Sequence, residues 1–306
     1  MTDFALALLA AFAVVPWLLY FYWKGVVRRR ERQAMEAPAW GLEEEGPPLT
    51  EGEVREFEKF LVSLALPAVE LHPDPDATIY PGGTRLGGPV WLVGGEDWPN
   101  DRQGRPMEFL AQIDFATLPA LPDFPTRGIL QFFIGTDDGF GADFDDPSAS
   151  DFAARWRETI EGAGQLVAPP ELGDESRHSP WMKDDARAAG VALVGRAAVQ
   201  HPSWSDARVE ARTGAIYKRP GFRALEDRLA EGPDAPRPVH HSGGHPVFTQ
   251  QDFRRGEYRD YDHCLLRLTS DEFLQWGNVG EAVFLIRAED LRRRDWTRIA
   301  YSWDCY

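Results

Sequence analysis

Apolar and polar positions alternate along this chain in ways that divide it into a leader, a linker and a folded body. Phe4 to Trp23 is a run of 20 residues without a charged side chain. A helix of that length, rising roughly 1.5 Å per residue, spans about 30 Å, the thickness of a bilayer core. Trp17, Tyr20, Tyr22 and Trp23 crowd its C-terminal end as an interfacial belt would, and Pro16 is tolerable in a membrane helix. Lys24, Arg28, Arg29, Arg30 and Arg32 follow, and the positive-inside rule keeps them cytoplasmic. A cleaved signal peptide would want a basic start and a small-residue cleavage site, but only Asp3 precedes the run. Residues 1–33 are therefore expected to form a single-pass anchor in the inner membrane, with the C-terminal domain in the cytoplasm.

Beyond it, residues 34–50 hold Pro38, Gly41, Glu43 to Glu45, Gly46, Pro47 and Pro48, the composition of a linker. Thr50 with Glu53 reads as a capping box, and Phe57, Phe60, Leu61 and Leu64 recur at helical spacing, which predicts a helix over 51–64. Phe109 to Phe115 alternate as a strand does, whereas Ile129 to Ile134 is continuously apolar and predicts a strand covered on both faces. Pro119, Pro122 and Pro125 exclude a regular helix between them. Phe152 to Ile160 fits either a strand or a short amphipathic helix, while Arg223 to Glu231 reads as a helix, Asp290 to Arg294 as a helical turn, and Ile299, Tyr301 and Trp303 as a final strand. Residues 147 to 240 are the least legible.

A stretch of this body occurs twice. Gly87-Gly88-Pro89-Val90 is answered by Gly243-Gly244-His245-Pro246-Val247 with one residue inserted, Leu110 to Asp114 by Leu265 to Thr269, and Gly128 to Asp138 by Gly280 to Asp290 without a gap. Two β-rich units that each expose an apolar face gain by burying those faces together. The expected fold is thus α+β: one body of two internally repeated β-rich halves (about 81–140 and 240–306, within 51–306), preceded by one transmembrane helix.

The same residues carry a family resemblance. Gly87-Gly88-Pro89, Trp98-Pro99, Phe109-Leu110-Ala111-Gln112-Ile113, Leu118-Pro119 and Gly128-Ile129-Leu130-Gln131-Phe132-Phe133 resemble the YwqG-like family of bacterial proteins, a domain of unknown function. Pro246, Phe248-Thr249-Gln250, Trp276-Gly277, Gly280, Asp290-Leu291 and Trp303-Asp304-Cys305 continue it in order. The resemblance covers roughly residues 55 to 306 and implies a mixed α+β fold, but no activity, substrate or catalytic residue. Asn278 departs from it, standing where such proteins often carry an acid.

Charge narrows the partners. The chain carries −16 overall, and residues 1–33 contribute +3, which leaves −19 for the rest. A body so acidic repels a phosphate backbone, so nucleic acid is not an expected partner. Cys264 and Cys305 read as two reduced thiols. No P-loop follows the glycine pairs, no Gly-x-Ser-x-Gly occurs, and His263 and Cys264, adjacent on a strand, point to opposite faces.

What remains is a short set of candidates. Asp137, Asp138, Asp143 and Asp145 lie in a glycine-containing acidic loop. Of these, Asp137, Asp143 and Asp145 could hold a divalent cation, although the spacing is not that of an EF-hand and a solvated loop is the plainer reading. Gln112, Asp137, Asp138, Trp276, Asn278 and Asp304 are the candidate ligand or partner surface. His240, His241 and His245 could offer imidazoles to zinc, but their glycines suggest an exposed loop. The leading expectation is a membrane-tethered binding module without a cofactor, taking a protein or small ligand in a regulatory or immunity-type role. The alternative is a cation-dependent hydrolase using the loop 137–146.

Overall fold

The computed structural model describes residues 45–160, 164–171, 181–204, 206–214, 216–231 and 239–306. Residues 45–47 with 218–220 form a small unit of their own, in which Glu45 N donates to Lys218 O at 2.8 Å. Residues 48–217 and 221–306 make the body.

Helix α1 (Glu51–Ser63) begins under the expected capping box, with Thr50 Oγ1 accepting Glu53 N at 3.2 Å and Glu53 Oε2 accepting Thr50 N at 2.8 Å. It buries Phe57 and Leu61. The chain continues through β1 (Leu66–Asp74), β2 (Arg85–Leu86), β3 (Val90–Val93), β4 (Glu108–Asp114), β5 (Ile129–Ile134), β6 (Phe152–Arg157), β7 (Gly164–Val167) and β8 (Trp181–Met182). After α2 (Asp184–Ala189) come β9 (Val191–Gln200), α3 (Ala207–Thr213), α4 (Phe222–Glu231), β10 (His240–Gly243), β11 (His263–Thr269) and β12 (Leu274–Gln275). The last elements are β13 (Glu281–Ile286), α5 (Ala288–Arg293) and β14 (Ile299–Asp304).

Ten of these strands form one antiparallel sheet in the order β14-β13-β11-β10-β1-β9-β2-β4-β5-β6. The order reads the same way outward from its middle: β2-β4-β5-β6 on one side mirrors β10-β11-β13-β14 on the other. The two first strands, β1 and β9, are exchanged, since β1 pairs with β10 and β9 pairs with β2. Matching detail goes down to single residues. The β4–β5 ladder slips between Phe109 and Ala111, and the β11–β13 ladder slips between Cys264 and Leu266. Both glycine pairs, Gly87-Gly88 and Gly243-Gly244, adopt positive φ, the backbone region that only glycine enters without cost.

The sheet curls on itself like a barrel. In a flat sheet β5 and β13, seven places apart, would be separated by about 33 Å. Their Phe132 and Phe284 rings are instead 4.8 Å apart. The two edges also meet through side chains: Phe152 of β6 lies 5.9 Å from Tyr301 of β14, and Trp156 stacks at 5.2 Å on Trp296, which lies just ahead of β14. The enclosed core takes Leu86, Leu110, Ile113, Leu130, Phe132 and Ile134 from one half and Leu265, Leu266, Leu268, Phe284, Ile286 and Tyr301 from the other. Both faces of β5 are covered, because Phe133 on its outer side packs with Val90, Leu92 and Phe109 under the β3–β7 ribbon. A strand dry on both faces needs no alternation, which is why its sequence is continuously apolar.

The expected fold class is corrected in two respects. The body is mostly β, a barrel-like sheet with a few short helices, and not α+β in balance. The weight was misjudged because β1 contains Pro67 and Pro73 and β9 is rich in alanine, so neither reads as a strand. The expected transmembrane helix is not seen either. Among the described residues no helix is long and apolar enough to cross a membrane. Residues 4–23, on which that expectation rested, lie outside the described residues, as does most of the expected linker.

Candidate functional site

Each half carries a buried polar row on the outer side of the sheet, fixed by the strand pairing. In the first half the row is Arg85, Gln112 and Gln131. Among the described residues the Arg85 guanidinium faces no carboxylate; it donates to the carbonyls of Pro81 (3.0 Å), Gly83 (3.2 Å), Gly87 (3.1 Å) and Pro89 (2.5 Å). Burial pushes its pKa down to about 10. Gln112 Nε2 joins it on Gly83 O at 2.9 Å, while Gln131 Nε2 donates to Gln112 Oε1 at 3.1 Å. Gln112, expected at a surface, is fully buried and pins the 81–89 loop.

The matching row in the second half is His241, Arg267 and Val283. Arg267 pairs with Glu281, which also accepts from Thr249 Oγ1 at 3.2 Å. His241 Nε2 donates to His245 O at 3.0 Å, and burial pushes its pKa down to about 3. Its Nε2 stands 3.9 Å from Cys264 Sγ, a neighbourhood that sequence adjacency did not suggest. Burial raises that thiol to about 12, so the pair has no thiolate to act as nucleophile. His240, His241 and His245 are all buried, contrary to the exposed loop expected of them. His240 is held by Asp271 at 3.0 Å, and His245 Nε2 donates to Leu64 O at 2.7 Å.

A third buried group ties the helices to this half. Arg254 donates to Asp206 at 2.7 Å and to Asp252 at 2.6 Å, and Asp206 caps α3 by accepting Arg208 N at 2.9 Å. Burial alone would raise the Asp206 carboxyl. The nearby His245 ring, the hydrogen bonds from Arg208 and the Arg254 charge hold it far below the usual carboxylate range instead. These charges are matched and enclosed, the arrangement of a structural clasp.

The remaining sequence candidates meet at one end of the barrel. The 137–149 loop, the 276–280 turn and the end of β14 converge there on Trp303. Trp303 Nε1 donates to Gly139 O at 2.7 Å, and its ring lies 4.7 Å from Phe140, 5.9 Å from Phe144 and 6.2 Å from Trp276. Tyr306 N donates to Asn278 O at 3.1 Å, which joins the stretch after β14 to the turn. Trp276 is fully buried and so forms no rim. What this end presents to solvent is Phe144 (59 % exposed), Val279 (46 %) and Tyr306 (64 %), with the exposed Asn278, Asp138, Asp145 and Asp146 beside them.

Two of these loops are strained. Phe140 has φ 53° and Val279 has φ 54°. A β-branched residue in the left-handed region is a real outlier, costing on the order of 1–3 kcal/mol, and such outliers gather where function demands them. Sequence reading did not find Phe144, Val279, Trp303 or Tyr306, since residues so far apart in the chain meet only in the fold.

The acidic loop is built otherwise than a cation site. Asp137 Oδ1 accepts Gly139 N and Gly141 N, each at 2.9 Å, and Asp143 Oδ1 accepts Asp146 N at 2.9 Å and Asp145 N at 3.1 Å. Asp145 itself is exposed. Among the described residues no three His, Cys, Asp or Glu side chains come together as a metal site. Asp304 is likewise engaged, accepting Thr249 N at 3.0 Å and Gln250 N at 2.8 Å, while burial raises its pKa.

A duplicated, strand-exchanged sheet with sealed polar rows and one strained aromatic end defines the class: a mostly β body whose buried polar groups serve its architecture. The family model described as Domain of unknown function (DUF1963) matches residues 84–305, and the chain belongs to that family. Among curated proteins none matches.

Proposed function

We propose that this chain is a protein-binding module and that the aromatic end around Trp303 receives a basic segment of its partner. The observation that carries this reading is the run of exposed Phe144, Val279 and Tyr306 about the half-buried Trp303, flanked by acidic side chains. Tryptophan, tyrosine and phenylalanine dominate binding hot spots because they supply large rigid contact areas. Their rings also attract guanidinium and ammonium groups. The acidic charge of the whole body steers a basic partner toward it.

The test uses the full chain with two synthetic peptides, one alternating arginine with leucine and one alternating glutamate with leucine. Binding is followed by tryptophan fluorescence. The arginine peptide should bind, weaken by about tenfold with Phe144→Ala, the loss of roughly 1.4 kcal/mol, and weaken further at high salt. Equal binding of both peptides, or indifference to Phe144→Ala, overturns the reading.

A further inference from the structure

We infer that residues 116–127 form a lid over the second mouth of the barrel, hinged at Asp114 and Gly128 and able to open while the sheet stays folded. This is independent of the aromatic end, because the loop leaves β4 and crosses the opposite half of the core.

Its path can be followed from the residues it touches. Leu118 lies against β9: a Cβ placed on Gly195 would stand 2.4 Å from Leu118 Cδ2. Leu121 lies against β10, where a Cβ on Gly243 would stand 2.8 Å from Leu121 Cδ1. Phe124 packs on Phe115 at 6.3 Å and reaches the His263 ring of β11 at 6.2 Å. At the far end Asp123 faces His263 at 3.8 Å and Arg292 of α5 at 3.9 Å. The loop thus runs from the first half across the exchanged strands to the second half. Gly195 is in ordinary extended backbone, so its lack of a side chain is explained by the seat it leaves for a leucine.

The seat is shaped, yet the fastening is slight. Among the described residues, the hydrogen bonds of this loop stay within it or return to its own roots. Thr117 N and Ala116 N go to Asp114, Phe124 N to Leu121 O, and Phe115 N to Gly128 O. Pro119, Pro122 and Pro125 have no N–H to offer. Leu118, Leu121 and Phe124 are only half-buried. The two Asp123 contacts are long and Asp123 itself is exposed, the kind of contact worth little and weakened by salt. A segment seated by Leu118, Leu121, Phe124, Pro119 and the buried Pro125, with no ladder, belongs to the low-stability end of a fold. Lifting it uncovers Val69 and the two glycines beneath.

Hydrogen exchange on the full chain tests this. Amides of 116–124 should exchange far faster than those of β5 and β13. Asp123→Asn, which alters only an exposed side chain, should speed them by about two- to fivefold with β5 unchanged. Gly195→Ala should speed them more by evicting Leu118. If 116–124 exchange only with global unfolding, or if Gly195→Ala folds and leaves their rates unaltered, the lid is refuted. Should Gly195→Ala fail to fold, the wild-type rates decide alone.

Discussion

Two loops leave equivalent strands of the two halves and close the two mouths of the barrel, yet they are fastened differently. The loop at 270–280 is nailed down. Asp271 Oδ1 accepts Phe273 N at 2.7 Å and Leu274 N at 2.9 Å, and Lys183 N donates to Phe273 O at 3.0 Å. Leu274 pairs with Met182, and Phe273, Leu274 and Trp276 are buried. Among the described residues, the loop at 116–127 reaches beyond its own roots only through apolar packing and the long Asp123 contacts with His263 and Arg292. Duplication therefore conserved where the chain goes and not how tightly it is held. The difference lies in the polar side chains beside each loop and in the three prolines of the first.

Breaking the tight closure should have the largest effect. Trp276→Ala should cost about 3–5 kcal/mol in denaturant unfolding, as expected for a fully enclosed tryptophan. Stability unaltered by that change would mean that this mouth is as loosely sealed as the other.

Acid should separate the halves next. His241 and Arg85 hold equivalent places, but only His241 titrates in the acid range. Its pKa in the fold, about 3, is below the ordinary 6.5, so the unfolded chain binds the proton first. The stability it contributes is complete above 6.5 and is lost as pH falls toward 3. His241→Gln should flatten that part of the stability–pH curve, whereas a curve of unchanged slope would assign the acid response elsewhere.

Smaller effects sharpen the contrast. Leu121→Ala, at a half-buried position, should cost about 1 kcal/mol and leave the exchange of β13 unaltered. Val279→Gly should raise stability by about 1 kcal/mol by relieving the left-handed backbone, while weakening capture of the arginine peptide. Loss of stability in that variant would show that the Val279 side chain supports the turn.

Much of this could be seen in advance where local chemistry decides. The Thr50–Glu53 cap, the continuously apolar β5 and the alternation of β14 each announce their own element. β1 and β9 do not, because their strand state is imposed by partners far along the chain. The inner bonding of the acidic loop was hidden for a related reason. Adjacent aspartates suggest converging oxygens, but Asp137 and Asp143 turn inward to their own backbone N–H groups. Trp276, which could be read either as packing on the body or as part of a partner surface, is turned into the core.

The exchange of first strands also governs how the molecule can be made. β1 leaves the ribosome early, but its neighbours β9 and β10 are synthesised more than a hundred residues later. Until then both its edges are open to other chains, and the contacts that finish the sheet are among the most distant in sequence. Slow, late collapse and a need for protection of the nascent chain follow from that one crossing. Neither half, cut from the other, keeps the partners its leading strand requires.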